Sequence, residues 1–142
     1  MRLLGTIVLL LSFLVGSAAV AAPSDPAATT APGVTARWST KHLFEVGYAS
    51  TPSPVPLLQL HSWTLTITDA GGRPVDGATI TVEGGMPAHA HGLPTTPQVK
   101  GLGQGRYLVE GLKFHMPGAW VVGFRVKAGA VVDAVKFDLQ LD

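Results

Sequence analysis

The stretch Leu58-Gln-Leu-His-Ser-Trp-Thr-Leu-Thr-Ile-Thr68 alternates with period two: Trp63, Leu65 and Ile67 share one face, and Ser62, Thr64, Thr66 and Thr68 share the other. Successive side chains of an extended backbone point to opposite faces, so this pattern is a strand with one face on a core and one in water. Asp69-Ala-Gly-Gly-Arg-Pro74 then supplies turn chemistry, and Ala78, Ile80 and Val82 alternate with Thr79, Thr81 and Glu83. A second strand follows the first.

The same period recurs on both sides. Tyr107 and Val109 share a face after the Gly103-Gln-Gly105 turn. Trp120, Val122, Phe124 and Val126 line one face of the next strand, and Val135, Phe137 and Leu139, with Leu141 at the end, line the last. A segment at residues 43–48 and a short one at 98–102 bring the count to about seven strands, at the spacing of a sandwich. Helical spacing is not found in this part of the chain. The expected fold is all-β: an immunoglobulin-like antiparallel β-sandwich, with a small barrel as the alternative.

The N-terminus reads as a secretory signal. Arg2 opens it, an apolar run covers residues 3–16, and small residues fill 17–22. Cleavage after Ala21 or Ala22 fits the small-x-small rule, which makes residues 1–22 a signal peptide. Retention as an anchor is the alternative, because residues 3–22 carry no charge and approach the roughly 20 residues that span a bilayer. Residues 23–36 mix Pro, Ala and Thr without an apolar face and read as a flexible linker. Residues 37–142 form one β domain, large enough to bury a core without covalent staples. The expected location is periplasmic or otherwise extracytoplasmic, with no stable membrane insertion once the signal is removed.

The chain has no cysteine, which excludes disulfides, Cys-ligated zinc, iron–sulfur clusters and thiol nucleophiles. Apart from Arg2, nine basic residues balance nine acidic ones. That neutrality, with no run of Lys or Arg, argues against nucleic acid or an anionic membrane as partner.

Two segments break the strand pattern: Gly84-Gly-Met-Pro-Ala-His-Ala-His-Gly-Leu-Pro94 and Lys113-Phe-His-Met-Pro-Gly118. They hold both methionines beyond the initiator and three of the five histidines. His89 and His91, two apart, would project to one side of an extended backbone. His115 and Met116 precede Pro117-Gly118, a pair suited to a tight type II turn. If the loops meet, Met86, His89, His91, His115 and Met116 form a nitrogen and thioether set. Thioether selects Cu(I), imidazole serves copper and zinc, and no carboxylate in either loop invites calcium or magnesium. Copper is the metal this chemistry prefers. Against it stands the plain alternative, a solvated His-x-His turn and methionines that fill core gaps.

His61 has the parity of Trp63 and Leu65, so it is expected on the core side, satisfied by a backbone carbonyl. His42 reads as a surface or structural residue. No nucleophile elbow, His-Glu-x-x-His helix, phosphate-binding Gly-rich loop or close carboxylate pair is present, and the chain is read as a non-enzyme.

Taken together, His61-Ser-Trp63, the 69–74 turn, Met86-Pro-Ala-His-Ala-His91, Gly105-Arg-Tyr107 and Phe114-His-Met-Pro-Gly-Ala-Trp120 resemble the YtkA-like and FixH-like exported domains, over roughly residues 58–128. That resemblance implies an immunoglobulin-like fold and a link to copper handling or respiratory oxidase assembly. It also makes Met86, His89, His91, His115 and Met116 the positions to test. The expectation is an exported copper-binding module acting as carrier, buffer or chaperone, with an envelope protein that donates or receives copper as partner. The alternative is a metal-free structural or interaction domain of the envelope.

Overall fold

The computed structural model describes residues 33–142. Among them run nine strands: β1 (Thr35–Trp38), β2 (Phe44–Thr51), β3 (His61–Asp69), β4 (Thr79–Met86), β5 (His91–Gly92), β6 (Gln98–Gly103), β7 (Arg106–Leu112), β8 (Gly118–Ala128) and β9 (Val131–Leu141). They form two antiparallel sheets, β1-β2-β3-β7-β6 and β5-β4-β8-β9, so the architecture is a sandwich rather than a closed barrel. It is compatible with the immunoglobulin-like class.

The alternating faces become the interior. Trp63, Leu65 and Ile67 are fully buried on β3, as are Trp120, Val122 and Val126 on β8, while Val135 and Phe137 close the core from β9. Removing this apolar surface from water, at about 25 cal/mol per Å², is what holds the sheets face to face. Tyr107 joins them with a polar contact: its hydroxyl donates to the Val75 carbonyl (2.6 Å) and accepts from the Ala78 N–H (3.0 Å).

Two strands exceed the seven expected. β1 begins at Thr35 and pairs Thr35 with Tyr48, so residues 35 and 36, expected in the linker, are strand. Its side chains are mostly exposed, and it is held by backbone pairing that leaves no apolar alternation to read. β5 is only His91–Gly92. The expected signal peptide and most of the linker lie outside the described residues. No helix among the described residues is long and apolar enough to cross a membrane.

The 58–68 strand also starts later than its pattern suggests. Leu58 takes a left-handed backbone (φ 60°) and donates its N–H to the Phe114 carbonyl at 2.8 Å, so the ladder starts at His61. Leu58 and Leu60 are left 69% and 61% exposed.

Candidate functional site

One end of the sandwich gathers the unusual residues. β4 and β5 form a hairpin in which Met86 faces His91 and Gly85 faces Gly92. Gly85 must be glycine for that approach, because a Cβ there would sit 2.6 Å from the His91 carbonyl oxygen. Residues 87–90 make the turn, the His89 N–H donates to the Met86 carbonyl at 3.0 Å, and Ala90 adopts φ 52°. The backbone between His89 and His91 is therefore bent rather than extended. Both imidazoles still lie on one side, with ring centres 6.1 Å apart and planes 21° from parallel.

The second loop arrives from β7. Phe114 is anchored by a bridge to Leu57 and fills the core, so the alternation turns His115 outward. The His115 ring lies 5.7 Å from that of His91 at 77°, and 5.4 Å from that of Trp120 at 78°. The expected type II turn is an open bend with Gly118 at φ 121°. The Met116 carbonyl, which such a turn would use, accepts instead from the Trp120 indole N–H at 2.9 Å. Trp120 thus fixes the loop and supports His115, a role its place in the β8 alternation did not signal.

The two loops therefore bring His115 beside His91, which in turn neighbours His89. At a metal–nitrogen bond of about 2.0–2.1 Å, two imidazoles on one ion have ring centres roughly 5–6 Å apart. The His91–His115 spacing falls in that range and the His89–His91 spacing lies at its upper end, but among the described residues no group of three His, Asp or Glu side chains is placed to hold a metal ion. His115 keeps a buried Nδ1 with no hydrogen-bond partner. The same is true of His61 at Nε2 and of the Trp63 indole nitrogen in the core, so the feature is not particular to the loops.

The methionines divide. Met86, expected among the ligands, follows the inward parity of Ile80 and Val82 and is buried to 2% exposure, its terminal methyl packed beneath Gly118. Its thioether belongs to the core, directly under the hairpin. Met116 is half-buried at the edge of the core.

His61 lies inside, 6% exposed, with Nδ1 3.1 Å from the Gln59 carbonyl. A carbonyl only accepts, so Nδ1 carries the hydrogen and Nε2 faces the interior unpartnered, as does the Trp63 indole nitrogen. Burial pulls the His61 pKa below its usual value, against a smaller upward effect of the Gln59 bond. The ring lies 5.4 Å from Phe114, the residue next to His115. His42 is exposed and stacks loosely on Trp38 at 6.2 Å.

These features define a small two-sheet β-sandwich with a histidine cluster on the loops at one end. A family model described as YtkA-like matches residues 49–124, more than half of the chain, and the protein belongs to that family. The match spans both loops; the FixH-like side of the sequence resemblance has no counterpart in these comparisons. No curated protein matches the chain. Among solved structures it is similar to the crystal structure of a DUF4426 family protein from Pseudomonas aeruginosa, with a TM-score of 0.55 and 14% identity over 77% of this chain and 94% of that one. At that identity the likeness concerns the fold alone.

Proposed function

We propose that the protein is an exported copper-binding module that carries or buffers copper in the cell envelope. His89, His91 and His115 are its nitrogen ligands, and Met116, the methionine less deeply buried, supplies the thioether. The observation that carries this reading is the approach of two separate backbone stretches, which leaves His91 5.7 Å from His115 and 6.1 Å from His89. Membership in the YtkA-like family supports it. Imidazole with thioether suits Cu(I), and a site on loops at the end of a rigid sandwich exchanges its ion readily. The partner is then an envelope protein that donates or accepts copper.

Copper is cargo here, and no catalysis is assigned. Glu83, the acid nearest the hairpin in sequence, lies on the solvent face of β4, opposite in parity to Met86, and is poorly placed to activate a metal-bound water. The test is titration of Cu(I) and Cu(II) against a competing chelator. The double variant His89→Ala/His91→Ala is expected to lose at least tenfold in affinity, and an unchanged affinity removes the site.

A second reading, a metal-free docking domain, draws on Leu58 and Leu60, both exposed beside the His115 loop. Envelope pull-downs with and without chelator separate the two: partners retained equally in both favour docking.

A further inference from the structure

The sheet edges of this sandwich are not equally protected. An open edge presents unpaired N–H and C=O groups, which proteins block with covering segments, lysines, prolines, bulges or short strands. The β9 edge is covered: the Ala134 carbonyl accepts from the Thr40 N–H (2.8 Å) and hydroxyl (3.0 Å), and the Lys136 carbonyl accepts from Arg37 (3.2 Å). β6 follows Pro97, carries Lys100 and is irregular between Gly101 and Gly103. β1 has only four residues. β4 differs. It pairs regularly with β8 from Thr79 to Gly85 without Pro, Lys or bulge, while β5 and the adjoining Leu93 cover it only from Gly84 to Met86. Beside its open part lies a groove of about 610 Å³, lined by Ile80, Val82, Gly84, Leu93, Pro97 and Val99.

The direction of the free groups follows from one hydrogen bond. Leu93 donates its N–H to the Gly84 carbonyl at 3.1 Å, so Gly84 points its backbone groups away from β8. By the period of two, Ile80 and Val82 do the same, and Thr79, Thr81 and Glu83 bond to β8. An antiparallel copy of β4, related by a twofold axis at Thr81, places Ile80 opposite Val82 of the second copy. Both residues offer free N–H and C=O groups, so the pair exchanges two hydrogen bonds on each side of the axis. On the solvent face Thr81 meets Thr81 of the second copy, a favourable cross-strand pair. Glu83 of the second copy meets Thr79, whose β8 neighbour is Lys127. Strands lie about 4.8 Å apart, so Lys127 and Glu83 of the second copy are separated by about 10 Å at the backbone, within reach across the small threonine. No like charges face each other.

We propose that the open β4 edge is a self-association surface, on which a second copy of this chain pairs strand to strand and joins the two four-stranded sheets into one. This pairing directs the two histidine ends in opposite directions and needs no copper, so it stands or falls apart from the copper reading.

Sedimentation equilibrium of the full protein in EDTA, up to about 1 mM, is the test. A reversible monomer–dimer equilibrium is expected. Glu83→Lys, which sets lysine near Lys127, is expected to weaken it about tenfold, and Lys127→Glu likewise. The double variant Glu83→Lys/Lys127→Glu restores it to within about threefold. Val82→Pro removes a donor that no bond within the monomer uses, and is expected to abolish the dimer with the circular dichroism spectrum retained. A monomer at every concentration overturns the proposal, even one that captures another extended peptide. So does a dimer indifferent to both Val82→Pro and Glu83→Lys.

Discussion

Met86 separates packing from metal binding, because it lies directly beneath the histidine hairpin but inside the core. Its side chain is 2% exposed, and its terminal methyl is 3.0 Å from the place a Cβ on Gly118 would occupy. Met86→Ala removes a buried side chain and leaves a cavity that β4 and β8, paired along their length, are poorly able to close. Such truncations cost about 2–5 kcal/mol. In a domain of this size 1 kcal/mol shifts Tm by about 4–8 °C, so a fall of at least about 8 °C is expected. Met86→Leu keeps the volume and removes the sulfur, at a cost below about 1.5 kcal/mol. Thermal unfolding and Cu(I) competition on both variants are the assays. The expected result is a large loss of stability for Met86→Ala alone, with Cu(I) affinity within about threefold of the parent for Met86→Leu. A tenfold loss of affinity in Met86→Leu, or a Tm change under about 3 °C in Met86→Ala, refutes the assignment of Met86 to the core.

Met116→Leu, by contrast, is expected to lower Cu(I) affinity at least tenfold and to leave Cu(II) affinity closer to the parent, since thioether prefers the reduced ion; competition titrations in both oxidation states measure this. Because the His61 pKa is lowered on folding, the unfolded chain takes up a proton first as pH falls. Its contribution is whole above the unfolded value of about 6.5 and is lost as pH falls toward the lower folded value, and urea midpoints of His61→Leu should be flatter across that window than the parent's. Asp133 is desolvated, which raises its pKa, but the Ser39 side chain and the N–H groups of Ala134, Lys41 and Leu43 outweigh this and hold it below the usual range. Its stabilising effect is present above a pH of about 4 and lost below, and Asp133→Ala should cost about 1–3 kcal/mol in urea unfolding at pH 7 by stranding the Lys41 N–H, bonded at 2.9 Å. Trp120, 5.4 Å from the His115 ring, should report Cu(II) by fluorescence quenching, and Trp120→Phe should remove the largest part of that signal.

The fold was legible wherever one face of a strand is buried. Trp63, Leu65 and Ile67, and Trp120, Val122 and Val126, are completely inaccessible, as their alternation requires. β1 was not legible, because an exposed edge strand has no apolar face to write into the sequence. Leu58 and Leu60 continued the alternation of β3 by residue type, yet the backbone leaves the ladder there to bond Phe114, a long-range contact that no local pattern encodes. At the site, the sequence left open whether the two loops meet, because only long-range folding decides it; His91 and His115 do adjoin. Carrying the parity of Ile80 and Val82 two positions past Gly84 places Met86 inside, so its burial was readable. The left-handed Ala90 and the Trp120 bond to Met116 were not, since neither residue type demands them.

X-ray absorption at the copper edge on the one-to-one Cu(I) complex, compared with His115→Ala, tests most directly that the two loops share an ion. The parent should show two or three imidazole nitrogens near 2.0 Å with one sulfur near 2.3 Å, and the variant one imidazole fewer at the same loading. A shell identical in parent and variant, or one without imidazole scattering, would contradict the account.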